Sequence, residues 1–177
     1  MKSKQIILFS LMIIASCAAV FIFAPTVMAK DEKTVLTPME TKFLQETAGS
    51  GMALGKMTEL AGKKAENKDI KAYAMMLSKE HGKANEDLKM LATKKGVTLP
   101  DMIDPKRNAT CKKLEAMEGM SFDKAFITEV VNCHEMDIKS FKEISTNAKD
   151  PDVKSFADRM LPSLMMHQEK AKDLMPK

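Results

Sequence analysis

DIKAYAMMLSKEHGKANEDL, residues Asp69 to Leu88, is an apolar stripe with a histidine set into it. Ile70, Tyr73, Ala74, Leu77, Ala84 and Leu88, with Leu91 just beyond, recur at steps of three and four, so they share one face of a helix, and His81 falls on that face. The pattern returns near the C-terminus, where Asp152-Val153-Lys154-Ser155-Phe156-Ala157 echoes Asp69-Ile70-Lys71-Ala72-Tyr73-Ala74. There Val153, Phe156, Met160, Leu164, Ala171 and Leu174 make the stripe and His167 interrupts it. The chain has three histidines, and the third, His134, lies on a stripe of Phe126, Val130, Ile138 and Phe141.

Around the opening stretch, Asn67 predicts the N-cap of its helix and Gly96, after Lys95, the C-terminal stop. Upstream, Thr37-Pro38-Met39-Glu40 combines a threonine cap, proline at the first helical position and a glutamate placed to close a capping box. A first helix is expected from there to about Glu66, with Phe43, Thr47, Leu54, Ala61 and Ala65 inward. It carries Gly49, Gly51, Gly55 and Gly62, and glycine costs a helix about 1 kcal/mol relative to alanine. The expectation is a weak spot near Gly49 to Gly51, or close contact with a neighbouring backbone, with Gly51-x-x-x-Gly55 as a close-packing face.

The short connection between these two helices forces an antiparallel hairpin. Next, a crossover is expected to hold a short helix from Asp104-Pro105 to Glu118, ended by Gly119. A third main helix would run from Ser121 or Asp123 to about Asn147, and a fourth from Asp150-Pro151 to about Leu174, kinked at Pro162. Two helical hairpins joined by one long crossover is the connectivity of a ferritin-like four-helix bundle, an all-α fold. Ile70 to His81 spans 11 residues and Val153 to His167 spans 14, so the second histidine returns to the inward face one turn further along. By the same shift His134 corresponds to Leu54. One level of the bundle is therefore expected to hold Leu54, His81, His134 and His167.

Residues 1–29 have the form of an export signal: Lys2 and Lys4, an apolar run from Ile6 to Phe23, and Val27-Met28-Ala29 as cleavage pattern. Two other readings stand beside it, an uncleaved membrane anchor and, from Ile14-Ala15-Ser16-Cys17, a lipoprotein. The expected organisation is a signal peptide over 1–29, a flexible N-terminus over 30–36 and one helical domain over 37–177. The expected location is the periplasm or cell envelope, with association to the outer membrane as one form of it. Removing Lys2 and Lys4 from the 28 basic side chains leaves 26 against 24 acidic ones, which gives no basis for nucleic-acid binding. The partners left open are an envelope protein, a second copy of the chain, and the membrane if the N-terminal segment is retained or lipidated. Cys111 and Cys133 are left after processing. In an oxidising compartment they could pair, adding about 3 kcal/mol in the chain-entropy account; the alternatives are two free buried thiols or a metal-linked Cys133.

Three inward imidazoles on three facing helices suit Zn, Cu or Fe, with an open fourth position for water or substrate. Asp137, three residues after His134 and on the same side, could ligate or accept the ring's second N–H. Glu80 adjoins His81, but adjacent helix residues diverge, which makes it a supporting or surface group. The competing reading is that each histidine is a satisfied core residue. A di-iron carboxylate site needs Glu-x-x-His pairs, and the residues three before the histidines are Ser78, Val131 and Leu164. Met165-Met166 beside His167, with Met52 and Met75-Met76, invites a copper reading, although methionine as filler of irregular cores is the stronger account. No phosphate loop, haem-attachment motif or nucleophile triad can be argued from spacing, so an enzyme finds no support.

Several short motifs together resemble the bacterial secreted, ferritin-like family of domain of unknown function 4142, whose members are often labelled outer-membrane proteins. They are Gly51-Met52-Ala53 and Leu60-Ala61, the Ile70-Lys71-Ala72-Tyr73-Ala74 run, Glu80-His81, Phe122-Asp123, His134, and Leu161-Pro162-x-Leu164-x-x-His167. The resemblance covers the whole mature chain and implies a ferritin-like bundle with no assigned reaction. Family members usually carry a glutamate after the Gly-Met-Ala step, where this chain has Leu54, and usually read Asp-His where it has Glu80-His81. Two functions follow as expectations. One is an exported bundle binding a single transition metal through His81, His134 and His167 with Asp137 in support; the other is a structural or stress-related envelope protein with no metal site.

Overall fold

The computed structural model describes residues 35–175, which form α1 (Pro38–Lys64), α2 (Lys68–Lys95), α3 (Pro105–Glu115), α4 (Gly119–Asn147) and α5 (Pro151–Asp173). No strand occurs among the described residues. Residues 1–29, expected to be an export signal, lie outside them. No described helix is long and apolar enough to cross a membrane.

The ends of the helices follow the local chemistry. Thr37 and Glu40 close the capping box: the Thr37 N–H donates to Glu40 Oε2 at 2.7 Å and the Glu40 N–H to Thr37 Oγ1 at 3.3 Å. Asn67 Oδ1 accepts from the backbone of Asp69 and Ile70, and Gly96 ends α2 in the left-handed region at φ 71°, which glycine adopts without a Cβ clash. Asp104 and Asp150 cap α3 and α5 in the same way, each followed by proline. α5 continues as helix through Pro162.

α4 starts at Gly119, earlier than Ser121 or Asp123, because both of those side chains are engaged elsewhere. Ser121 Oγ donates to the Glu118 carbonyl, and Asp123 Oδ2 accepts from the Asn67 N–H at 2.8 Å, bonding the start of α2 rather than its own helix. α3 stops at Glu115, short of the expected Glu118, and Gly119, at φ 62°, opens α4 instead of ending α3. Lys64 secures the same corner by donating to the carbonyls of Glu115 and Met117 and to the Glu118 carboxylate.

The helices form a bundle in which α1 packs on α2 and α4 on α5, with α1 against α4 and α2 against α5, and α3 lies across α1 and α4. No weak spot interrupts α1, which is helical through Gly49 to Gly51. Gly51 is instead a close approach to a side chain: a Cβ there would lie 2.1 Å from Asn85 Oδ1. Gly55 faces open space, so Gly51-x-x-x-Gly55 is not a packing face. The two cysteines among the described residues are free thiols, Cys111 buried and Cys133 half-buried.

The apolar interior is two clusters rather than one. The first gathers Leu54, Met57, Tyr73, Leu77, Phe122, Phe126, Ile127 and Val130; the second gathers Phe43, Leu44, Leu88, Ile138, Phe141, Phe156 and Leu164. On every main helix the residues between the clusters include polar ones or glycine: Gly49 to Gly51 on α1, His81 on α2, His134 and Asp137 on α4, and His167 on α5. A polar layer thus divides the core. Methionine fills the core only in part: Met76 and Met117 pack against the first cluster and Met39 and Met160 against the second. Met57 is buried, while Met75, Met90, Met102, Met120, Met136, Met165, Met166 and Met175 are exposed.

Candidate metal centre

The helical stripes bring His81, His134 and His167 together as the spacing predicts. One nitrogen from each ring lies within 4.8 Å of the other two, and the rings stand 5.2 to 5.6 Å apart between centres. Leu54 lies at the same level, buried beside them. His134 and His167 are almost wholly covered and His81 is partly open to a cavity of about 430 Å³.

Hydrogen bonds orient two of the rings. His134 Nδ1 lies 2.9 Å from the Val130 carbonyl, which can only accept, so Nδ1 carries the proton and the Nε2 lone pair is left free. That Nε2 is buried without a partner. On α5, His167 Nε2 lies 2.9 Å from Glu80 Oε2; donation to this carboxylate leaves the Nδ1 lone pair directed at His81 Nε2, 3.3 Å away. Tyr73 Oη donates to the His167 carbonyl at 2.7 Å and fixes the backbone beneath the ring. The supporting acceptors are thus a backbone carbonyl and the carboxylate of Glu80. Such outer partners set the tautomer and basicity of metal-bound imidazoles.

Asp137 does not accept the second ring N–H of His134, and it is not in the three-histidine group. Its carboxylate accepts from Ser50 Oγ at 3.0 and 3.1 Å across the α1–α4 contact, and the second N–H of His134 goes to Val130. The reason is reach: side chains on a helix lean toward its N-terminus, so the His134 ring lies over the preceding turn, where Val130 offers a carbonyl, and away from Asp137, one turn on the C-terminal side. Burial raises the Asp137 carboxyl to about 6 against the opposing effect of the Ser50 hydrogen bonds. Ser50 was missed from the sequence, although a buried serine four residues before Leu54 on the inward stripe was a visible signal.

Burial, followed by the charge of the neighbouring rings, lowers His81 to about 3. Burial also lowers His134, to about 4, although the Val130 carbonyl acts in the opposite sense. Both rings are therefore neutral at physiological pH, the form in which imidazole ligates. Two nitrogens each at about 2.0–2.1 Å from a tetrahedral ion are about 3.3–3.4 Å apart, close to the His81–His167 separation. The donor set fits a borderline or soft transition metal and lacks the inward carboxylates of a di-iron centre.

The chain belongs to the family described as a domain of unknown function, DUF4142, which matches residues 25–174. No curated protein matches the sequence. Among solved structures it is similar to a DUF305 fragment from Deinococcus radiodurans, with a TM-score of 0.71 and 11% identity over 80% of this chain and 97% of that one. It is also similar to CopM in the Cu(I)-bound form, with a TM-score of 0.64 and 18% identity over 76% of this chain and 93% of that one. The Ag-bound form of CopM gives a TM-score of 0.63 at 18% identity over the same shares. At these identities the likeness is one of fold.

Proposed function

We propose that this member of the DUF4142 family binds one transition-metal ion through His81, His134 and His167, with copper the best fit among Cu, Zn and Fe. The observation that carries the reading is the His134 Nε2 atom, buried, held in the ligating tautomer and without a partner, beside two further imidazole nitrogens. A buried acceptor left unmade costs about 1–3 kcal/mol, and a bound cation removes that cost. The ion would supply Lewis acidity or one-electron chemistry. The chain's own contribution is three neutral donors, with the Val130 carbonyl and Glu80 holding two of the rings. CopM, recorded with Cu(I), Cu(II) and Ag, supports copper over zinc.

The pairing of α1 with α2 and of α4 with α5 supports a ferritin-like order of two hairpins. Export to the periplasm or envelope rests on the leader-like residues 1–29. A second reading, a structural or stress-related envelope bundle without metal, draws on the His81–His167 hydrogen bond, which satisfies two of the rings unaided.

The test is elemental analysis of the protein purified without tag or chelator, beside the His81→Ala, His134→Ala double variant. The expected result is about one equivalent of a single metal, lost in the variant while helix content stays. Metal content unchanged by the substitutions would sink the proposal.

A further inference from the structure

Exposed methionine is the feature that neither the bundle nor the histidines use. Among the described residues the exposed large apolar side chains are Val35 and eight methionines, from Met175 at 40% to Met120 at 82% exposure. No leucine, isoleucine or phenylalanine joins them. This selectivity separates the thioether from hydrophobicity: a docking face would also recruit aromatic residues, and a helix surface accepts lysine or glutamate without loss.

The eight are spread over α2, the α2–α3 connection, the start and the middle of α4, α5 and the residues after it. Met165 and Met166 are neighbours in sequence and so point about 100° apart around α5. Such a distribution does not converge donors on one ion. It does give each sulfur separate access to solvent. The thiols have the opposite placement: burial raises the Cys111 thiol and pushes Cys133 up to about 12, so the more reactive thiolate form is suppressed inside.

We propose that the methionine surface is a sacrificial sink for two-electron oxidants of the hypohalous-acid class. In each event the thioether sulfur gives up two electrons, an S–O bond forms, and the O–Cl bond of hypochlorous acid breaks. Chloride and a proton leave, and methionine sulfoxide remains. The fold tolerates the change because the sulfoxide is polar and already in water, whereas oxidation at Met57 would put a polar group into the core. Methionine sulfoxide reductases return the surface to its starting state.

The test is stepwise addition of hypochlorite to the folded protein, followed by peptide mass spectrometry and circular dichroism, and by assay of an oxidant-sensitive enzyme mixed with it. The eight residues should gain oxygen ahead of Met57, Cys111 and Cys133 with helix content unchanged, and the added enzyme should be spared. A variant with all eight changed to leucine, and a second with all eight changed to glutamine in case the first aggregates, should spare it several-fold less. Unfolding before half of the eight are oxidised would overturn the proposal, as would earlier oxidation of the buried sulfurs or equal protection by the variants. Retention of silver by the methionine surface in a triple His→Ala background, lost in the leucine variant, would overturn it in favour of soft-metal capture.

Discussion

Two sets of buried polar groups lie in this bundle, the histidine layer at mid-height and the Glu40, Asp150 and Lys95 group at the end where α1 begins, and they are built to opposite rules. At the end, Glu40 Oε1 accepts from the backbone of Lys149 and Asp150, each at 2.7 Å, while Oε2 accepts from the Thr37 N–H and hydroxyl. Asp150 Oδ1 caps α5 and its Oδ2 takes Lys95 Nζ at 2.6 Å, the same ammonium that reaches Asp152. Neither Glu40 nor Asp150 has a buried oxygen without a partner. In the histidine layer, by contrast, His134 Nε2 is left over. Asp123, which ties the start of α2 to α4, also keeps a buried oxygen, Oδ1, without a partner, so what sets the histidine layer apart is a free atom with two further ring nitrogens converging on it.

Glu40→Ala puts the most pressure on this contrast. It strands donors at the α1 cap and at the α4–α5 turn, and should lower stability by about 3–5 kcal/mol in urea denaturation; a loss under 1 kcal/mol would remove the end group as a structural clamp. The acid limb has a defined sign. Burial raises the Glu40 carboxyl, but the hydrogen bonds from Asp150, Thr37 and Lys149 outweigh it, so its pKa lies below 4.5 in the folded protein. Its contribution is therefore present above about pH 4.5 and lost as pH falls through the folded value. Stability of the Glu40→Ala variant should vary less with pH over that range than that of the parent protein.

At the histidine layer, added Cu at 100 times its dissociation constant should raise stability by about 2.7 kcal/mol, read as an upward shift in thermal midpoint. No shift with Cu, Zn or Fe would make the layer no different in kind from the end group. Without metal, His134→Leu should be neutral or stabilising by about 1 kcal/mol, since it removes an unsatisfied buried atom, and it should abolish the metal-induced shift. Strong destabilisation of the metal-free protein would mean that the ring is structural after all.

The smallest effect is expected at glycine. Gly55→Ala, in open space on α1, should stabilise by about 0.5–1 kcal/mol. Gly51→Ala should gain less, because the new methyl must displace the Asn85 amide beside the cavity. Equal gains, measured in parallel melts, would show that Gly51 leaves no needed room in the polar layer.

Much of the bundle could be read from single residues because the signals were local. Asn67, Gly96, Asp104 and Asp150 act on backbone groups two to four positions away, and each is found where it was expected. The histidine level was legible for a related reason: helical period converts spacing into direction, and the repeated stripe aligned two helices. Legibility failed where a side chain had a choice among helices. Asp123 served α2 instead of α4, and Asp137 met Ser50 instead of His134; Glu80 took the supporting role that was one of its two expectations, and the ring it supports is His167 on α5.

The amino-acid sequence by itself determined the helices, most of their ends and the three inward histidines, because capping and periodicity are properties of neighbouring residues. Only the tertiary structure decided which ring nitrogen stays free, which acceptors hold the rings, and that eight of the methionines stand outside the core. Each of these depends on distances between helices, and a helix specifies the direction of its side chains without specifying what lies opposite them.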